Sequence, residues 1–170
     1  MRLLKFFSTC AATLLLAGCA GYQLGPVGGA VASEKSIEIL PFNNQTFEPR
    51  LGDAVTQALR ERFQADATYH LATHGDGDIV VTGVISRYSP QGLSYLNNDV
   101  TTTENYRVGI IAHVIVRDRD TGKALLDKDV DGYTLIHVGT DLADSERQAA
   151  PLLAEDLARN IAELITEGAW

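Results

Sequence analysis

Apolar and polar side chains alternate along Ser36-Ile37-Glu38-Ile39-Leu40, and Pro41 cannot donate to a sheet ladder, so the pattern predicts a short strand that stops there. Beyond an asparagine-rich turn the period changes. Leu51, Ala54, Val55, Ala58, Leu59 and Phe63 recur at the spacing of one helical face, with Arg50, Asp53, Gln57, Arg60 and Glu61 on the other. This predicts an amphipathic helix over 49–65, with Pro49 in the first position, where its missing N–H is of no consequence. Two long strands follow, 78–88 and 105–118, joined by a polar hairpin loop whose turn signal is Asn97-Asn98-Asp99. Asp118-Arg119-Asp120-Thr121-Gly122 marks another turn. In the strand expected over 124–136, Leu126, Val130 and Gly132 alternate with Asp127, Asp129 and Asp131, so one face of it must be wet. The last element is a helix over 145–167 capped at Asp144, with the stripe Ala149, Leu153, Leu157, Ile161, Leu164 and Ile165, and Pro151 predicts either a kink or a later start. The order is β-α-β-β-β-α. Two helices on one face of a four-stranded, mostly antiparallel sheet bury both stripes and leave the opposite face open, an α+β two-layer sandwich over 36–170.

Residues 1–18 stand outside this pattern. They carry Arg2 and Lys5, no acidic residue, an apolar run through Leu14-Leu15-Leu16, and a small pair before Cys19, which is a signal peptide. Its apolar part is too short to span a bilayer core of about 30 Å. Leu16-Ala17-Gly18-Cys19 resembles the lipobox of bacterial lipoproteins at every position. That resemblance implies cleavage before Cys19, a diacylglycerol on its sulfur and an acyl group on its amine. Ala20 in the next place implies sorting to the outer membrane. Residues 19–35, rich in Gly and Ala and holding Pro26, then read as the lipidated cysteine and a flexible tether.

Removing the signal leaves 152 residues, a size that suits one domain, with 12 basic and 22 acidic side chains. A net charge of −10 repels nucleic acid and bare anionic surfaces, so an anionic partner has to be met at a local basic patch. Cys10 leaves with the signal and Cys19 is consumed by lipid, which excludes a disulfide, a thiolate nucleophile and a cysteine metal site.

Catalytic signatures are missing from the sequence. No nucleophile elbow, phosphate-binding glycine loop, His-Glu-x-x-His or dinucleotide fingerprint is found, and Asp120-Thr121-Gly122-Lys123 lies between strands, as a hairpin turn does. His70, His74, Asp76 and Asp78 have metal-like composition, but Gly75 and Gly77 break any helix that would align them, so they read as a polar loop. Asp127, Asp129 and Asp131 lack the glycine turn and terminal glutamate of a calcium loop. His113 and His137 have no serine or cysteine nearby in sequence to activate. The reading is a non-enzymatic protein with no catalytic residue, metal or cofactor.

The lipobox followed by Ala20-Gly21-Tyr22-Gln23-Leu24, the β-α opening Ile37-Glu38-Ile39-Leu40-Pro41-Phe42-Asn43-Asn44, the strand Tyr106-Arg107-Val108-Gly109-Ile110-Ile111-Ala112, and the ending Arg147-Gln148-Ala149 with Leu153-Ala154-Glu155-Asp156-Leu157-Ala158 together resemble the lipopolysaccharide-assembly lipoprotein family LptE. The resemblance covers the mature length and rests on the order and spacing of these segments. It implies two helices on a four-stranded sheet, and a partner, the outer-membrane β-barrel LptD, whose lumen the lipoprotein plugs and whose assembly it assists. It also implies contact with lipopolysaccharide. For lipid A phosphates the residues that offer charge-assisted donors near the hairpin strands are Arg87, Arg107, Arg117 and Arg119, and Tyr88 and Tyr95 would cover sugar or acyl surface. The chain departs from the family at the hairpin tip, Leu96-Asn97-Asn98-Asp99-Val100, which has no basic residue. The alternative function is an outer-membrane lipoprotein that regulates a cell-wall synthase or joins a secretion assembly, since such families also open with a strand, a Pro-Phe-Asn turn and an amphipathic helix.

Overall fold

A computed structural model describes residues 35–66, 68–96, 99–137 and 142–168, of which 94–96, 99–104, 142–144 and 146–147 by their backbone alone. Strand β1 (Ser36–Ile39) buries Ile37 and Ile39 and turns Ser36 and Glu38 to the other side. A two-residue strand β2 (Asn43–Asn44) precedes helix α1 (Leu51–Asp66). Then come β3 (His70–Ala72), β4 (Ile79–Leu96), β5 (Asp99–Asp118), β6 (Ala124–His137) and helix α2 (Leu142–Thr166). The sheet order is β3-β1-β4-β5-β6, with β2 beside β4. The three long strands pair antiparallel, whereas β1 lies parallel to both β3 and β4.

The α+β class holds, with two strands more than the four expected. Both are too short to carry an alternation of their own. His70–Ala72 is extended because β1 offers it a ladder, and Asn43–Asn44 because β4 does. The largest difference is in the hairpin. The polar stretches 89–96 and 99–104 are strand and not loop, since β4 and β5 pair as far as Leu96 and Asp99, and Asn97 and Asn98 of the expected turn lie outside the described residues. Helix α1 begins at Leu51 instead of Pro49, because Arg50 sits at φ 63°, a left-handed conformation that no helix continues through. Helix α2 starts at Leu142, ahead of the cap expected at Asp144, and runs on through Pro151.

Both helices pack on one face. Val55, Leu59 and Phe63 of α1 and Leu153, Leu157 and Ile161 of α2 meet Ile79, Val81, Ile85, Val108, Ile110, Ala112, Val114 and Val116 of the long strands in one buried cluster. Two glycines make the close approach. A Cβ on Gly83 would fall 2.1 Å from the Phe42 ring, and one on Gly132 would fall 2.8 Å from the backbone nitrogen of Leu157. Helix α2 is further tied to β6 by its side chains. The Tyr133 N–H donates to Asp156 (2.9 Å), and Asn160 donates to the Asp131 carbonyl (2.8 Å). Helix α1 is tied to the end of β1 through the buried Thr56 hydroxyl, which accepts from the Phe42 N–H (2.9 Å) and donates to the Gly52 carbonyl (2.7 Å), and through Arg60, which donates to the Ile39 carbonyl (2.8 Å).

At the opposite end the first described residues are clasped to the sheet. Asp78 accepts from the backbone N–H and the hydroxyl of Ser36, both at 2.7 Å, and Lys35 lies 3.6 Å from Asp118. Asp118 in turn accepts from the N–H and hydroxyl of Thr121 (2.9 and 2.8 Å) and closes the expected turn, with Gly122 in the left-handed region. These hydrogen bonds favour the charged form and hold both carboxyls below the usual aspartate range.

Two tests follow. Gly132→Ala forces α2 off β6 and is expected to lower stability by about 1–3 kcal/mol in urea unfolding. Because the folded pKa values of Asp78 and Asp118 lie below their unfolded ones, their stabilisation is complete above the ordinary aspartate value of about 4 and is lost as pH falls through the folded values. Thermal melts from pH 6 downward are therefore expected to show an acid decline that is shallower in Asp78→Asn and Asp118→Asn than in the parent.

Candidate functional site

The face of β4, β5 and β6 turned away from the helices is an extended surface that no other described element covers. Its composition is set by register. Reading across the three strands toward the hairpin, it carries Thr82–Ile115–Asp127, then Val84–His113–Asp129, then Arg87–Ile111–Asp131, Ser89–Gly109–Tyr133 and Gln91–Arg107–Leu135. Even residues of β4 face outward up to Val84 and odd ones from Arg87 to Gln91. The switch is a β-bulge between Ile85 and Arg87. Without it, strict alternation would send Arg87 into the core beside Ile85. With it, Arg87 is turned out, and Tyr88 is turned in, half-buried against the core.

The upper part of this face is a shallow hollow of about 240 Å³ lined by Arg87, Ser89, Gln91, Arg107, Gly109 and Tyr133, with Ile111 and the Asp131 carboxylate on its lower side. Gly109, which has no side chain, lies in the row between those that bear the two arginines. The Tyr133 ring lies in the same row as Gly109, and the Arg107 guanidinium stacks over it, 4.0 Å from the ring centre. Among the described residues neither Arg87 nor Arg107 has a carboxylate within ion-pair distance. Leu135 and Leu93 are exposed at the margins. Two fork-shaped donors, a hydroxyl, an amide and an aromatic face thus line the hollow around the Gly109 backbone, with the Asp131 carboxylate at its lower side. The arrangement can hold an anion with several oxygens and cover an adjoining apolar surface.

The lower part has the opposite sign. His113 bridges two carboxylates, with Nδ1 at 2.8 Å from Asp129 and Nε2 at 3.2 Å from Asp127, and Asp131 is exposed next in line. The three aspartates share the wet face, as their spacing predicts. Half-buried aliphatic side chains, Val84, Ile111 and Ile115, are interspersed among these charged groups.

The candidate contact residues do not fall together. Arg87 and Arg107 meet at the hollow. Arg117 is on the same strand as Arg107 but at the acidic end, with a 3.4 Å bond to the Gly122 carbonyl. Arg119 is engaged at the base, donating to the Gly77 carbonyl (2.6 Å) and pairing with Glu38. The Tyr95 side chain and Cys19 lie outside the described residues. Tyr133 was not singled out by the sequence, because its role comes from lying across from Gly109 on another strand. Of the histidine cluster, His70 opens β3, His74 bonds Thr73 (3.0 Å) and Asp78 is engaged by Ser36. Among the described residues no three His, Cys, Asp or Glu side chains converge to hold a metal, and no helix is long and apolar enough to cross a membrane.

Solved structures share the fold. A hypothetical protein of Chlamydia trachomatis superposes with a TM-score of 0.56 at 12% identity, over 79% of this chain and 96% of its own. A protein of Xanthomonas campestris gives 0.59 at 9% identity over 84% and 90%, and a minor lipoprotein of Acinetobacter baumannii gives 0.52 at 14% over 78% and 93%. No curated protein matches the chain. The family model described as lipopolysaccharide-assembly, LptE, matches residues 34–166, which is most of the chain and the whole α+β domain, so the protein belongs to the LptE family of lipopolysaccharide-assembly proteins.

Proposed function

We propose that the protein is an outer-membrane lipoprotein, anchored through acylated Cys19 and facing the periplasm, that plugs and assists the assembly of an LptD-type β-barrel and meets lipopolysaccharide on its path to the surface. The observation that carries this reading is the open face of β4, β5 and β6, with its basic hollow above an acidic stripe. The inner wall of an outer-membrane barrel is polar, and a long antiparallel sheet with charge on its free face is suited to lie against it. A membrane anchor of two or three acyl chains, each buried methylene contributing about 0.8 kcal/mol, holds such a protein at the bilayer without any spanning helix.

Within this reading Arg87 and Arg107 meet the phosphate groups of lipid A. Each guanidinium presents paired N–H donors that match phosphate oxygens. Arg107 is set in place by its stacking on Tyr133 before the ligand arrives, so less side-chain freedom is lost on binding. Leu93, Leu135 and the free edge of Tyr133 cover sugar or acyl surface beside the phosphate. The role is one of holding and positioning.

Purification of the protein from outer membranes in mild detergent is expected to bring down an LptD-like barrel in about equal amount, with Cys19 carrying lipid by mass spectrometry. Recovery of the protein alone, or with a cell-wall synthase, would sink the plug reading. Arg87→Glu with Arg107→Glu is expected to leave stability within about 0.5 kcal/mol, since these are exposed side chains with no carboxylate partner. It is expected to weaken binding of bisphosphorylated lipid A by about tenfold or more while leaving dephosphorylated lipid A unaffected. Equal binding of the two lipids by the parent chain would show that the hollow does not read phosphate.

A further inference from the structure

Phe47 is the most exposed large apolar side chain among the described residues, at 107% of its reference area. It does not sit on a slack loop. Asn44 accepts from the N–H (3.0 Å) and the hydroxyl (2.8 Å) of Thr46 and donates to the Glu48 carbonyl (2.7 Å) across the turn. The Glu48 N–H reaches back to the Thr46 hydroxyl at 3.3 Å. The Gln45 N–H donates to the Ile85 carbonyl (2.9 Å), so the turn is fastened to β4 one residue before the bulge that sets out Arg87. Helix α1 begins immediately after it, and the Ala54 N–H closes on the Arg50 carbonyl (3.0 Å). The backbone around Phe47 is thus fixed on both sides while the ring itself touches nothing. A large aromatic held out by a built turn has already lost the backbone freedom that binding would otherwise cost.

We propose that Phe47 is a preformed anchor that enters an apolar pocket in the barrel partner of the proposed function. This rests on the reading of the chain as a barrel's partner. Charge decides between a protein pocket and the bilayer as its occupant. Glu48 and Arg50 flank the ring in the chain, and Arg87 stands just beyond the point where the turn joins β4. Sinking the ring among acyl chains would drag these charges toward hydrocarbon, and the net charge of −10 after signal removal disfavours an anionic leaflet. A folded partner offers an apolar pocket for the ring and polar groups for its rim.

The test places a photo-crosslinking phenylalanine analogue at position 47, and separately at 91 in the hollow, in the full-length chain expressed in its own cells. Expected are adducts with the same barrel from both positions. Phe47→Ala is expected to lose co-purified barrel about tenfold faster on detergent washing, with an unchanged melting temperature, and Phe47→Trp to retain it. Capture of the barrel from 91 but not from 47, with Phe47→Ala co-purifying normally, would overturn the anchor and leave the barrel reading intact. Adducts of 47 with phospholipid would overturn it in favour of the bilayer. Capture of no barrel from either position would remove the barrel reading, and the anchor with it.

Discussion

Two long helices have to share one face of a twisted sheet, and they fit only because glycine gives them room. At Gly132 the backbone of α2 lies where a methyl group would be, and at Gly83 the Phe42 ring does. The packing of α2 on β6 depends on the first approach, and the seating of Phe42 on β4 depends on the second. With α2 held this close, Leu153, Leu157 and Ile161 reach the alternate residues of β5, and Asp156 and Asn160 come within hydrogen-bond distance of β6. A slightly larger separation would leave each apolar contact with a gap, and dispersion falls off steeply with distance.

Concentrating the packing on one side decides the character of the other. The free face receives whatever the core positions alternate with, and on β6 these are carboxylates. The first bulge of β4, after Ile85, then shifts the alternation, exchanging the faces of Arg87 and Tyr88. One unpaired residue thereby creates the basic end of a surface whose other end is acidic. The hollow's geometry is a property of three strands taken together: Arg107 and Tyr133 are adjacent only through the β5–β6 register, and Arg87 joins them only through the bulge.

This explains which parts of the molecule can be read from the chain. The helices and the long strands are legible because their apolar period is sustained, as in Leu51 to Phe63 or in the run from Val108 to Val116, and the core cluster is largely the residues so marked. The arms of the hairpin are not. Ser94, Thr101, Thr102 and Thr103 belong to strands that carry no alternation for a sequence pattern to register, and backbone pairing across the register extends them. β3 was hidden for another reason: three residues cannot display a period, and His70 beside Leu71 reads as loop until β1 is placed alongside. Arg50 was misplaced into the helix because nothing in its neighbourhood announces a positive φ; Asn or Gly would have. For the hollow, the arginines were visible as residue types, but the tyrosine that orients one of them required a contact between positions 107 and 133.

The bonds from α2 to β6 bear on more than the seating of a helix. β6 is the last strand of the sheet, and the Tyr133 N–H and the Asp131 carbonyl point away from β5, toward the place a seventh strand would occupy. An outermost strand of 14 residues with bare amides is a template on which another chain can add itself, and repeated addition leads to fibres. Asp156 and Asn160 occupy the middle of that row, and the charged side chains of Asp127, Lys128 and Asp129 stand over the part below it. The sheet therefore ends where its own chain ends it, and two side chains of α2 take up amide and carbonyl groups on which a further strand would otherwise pair.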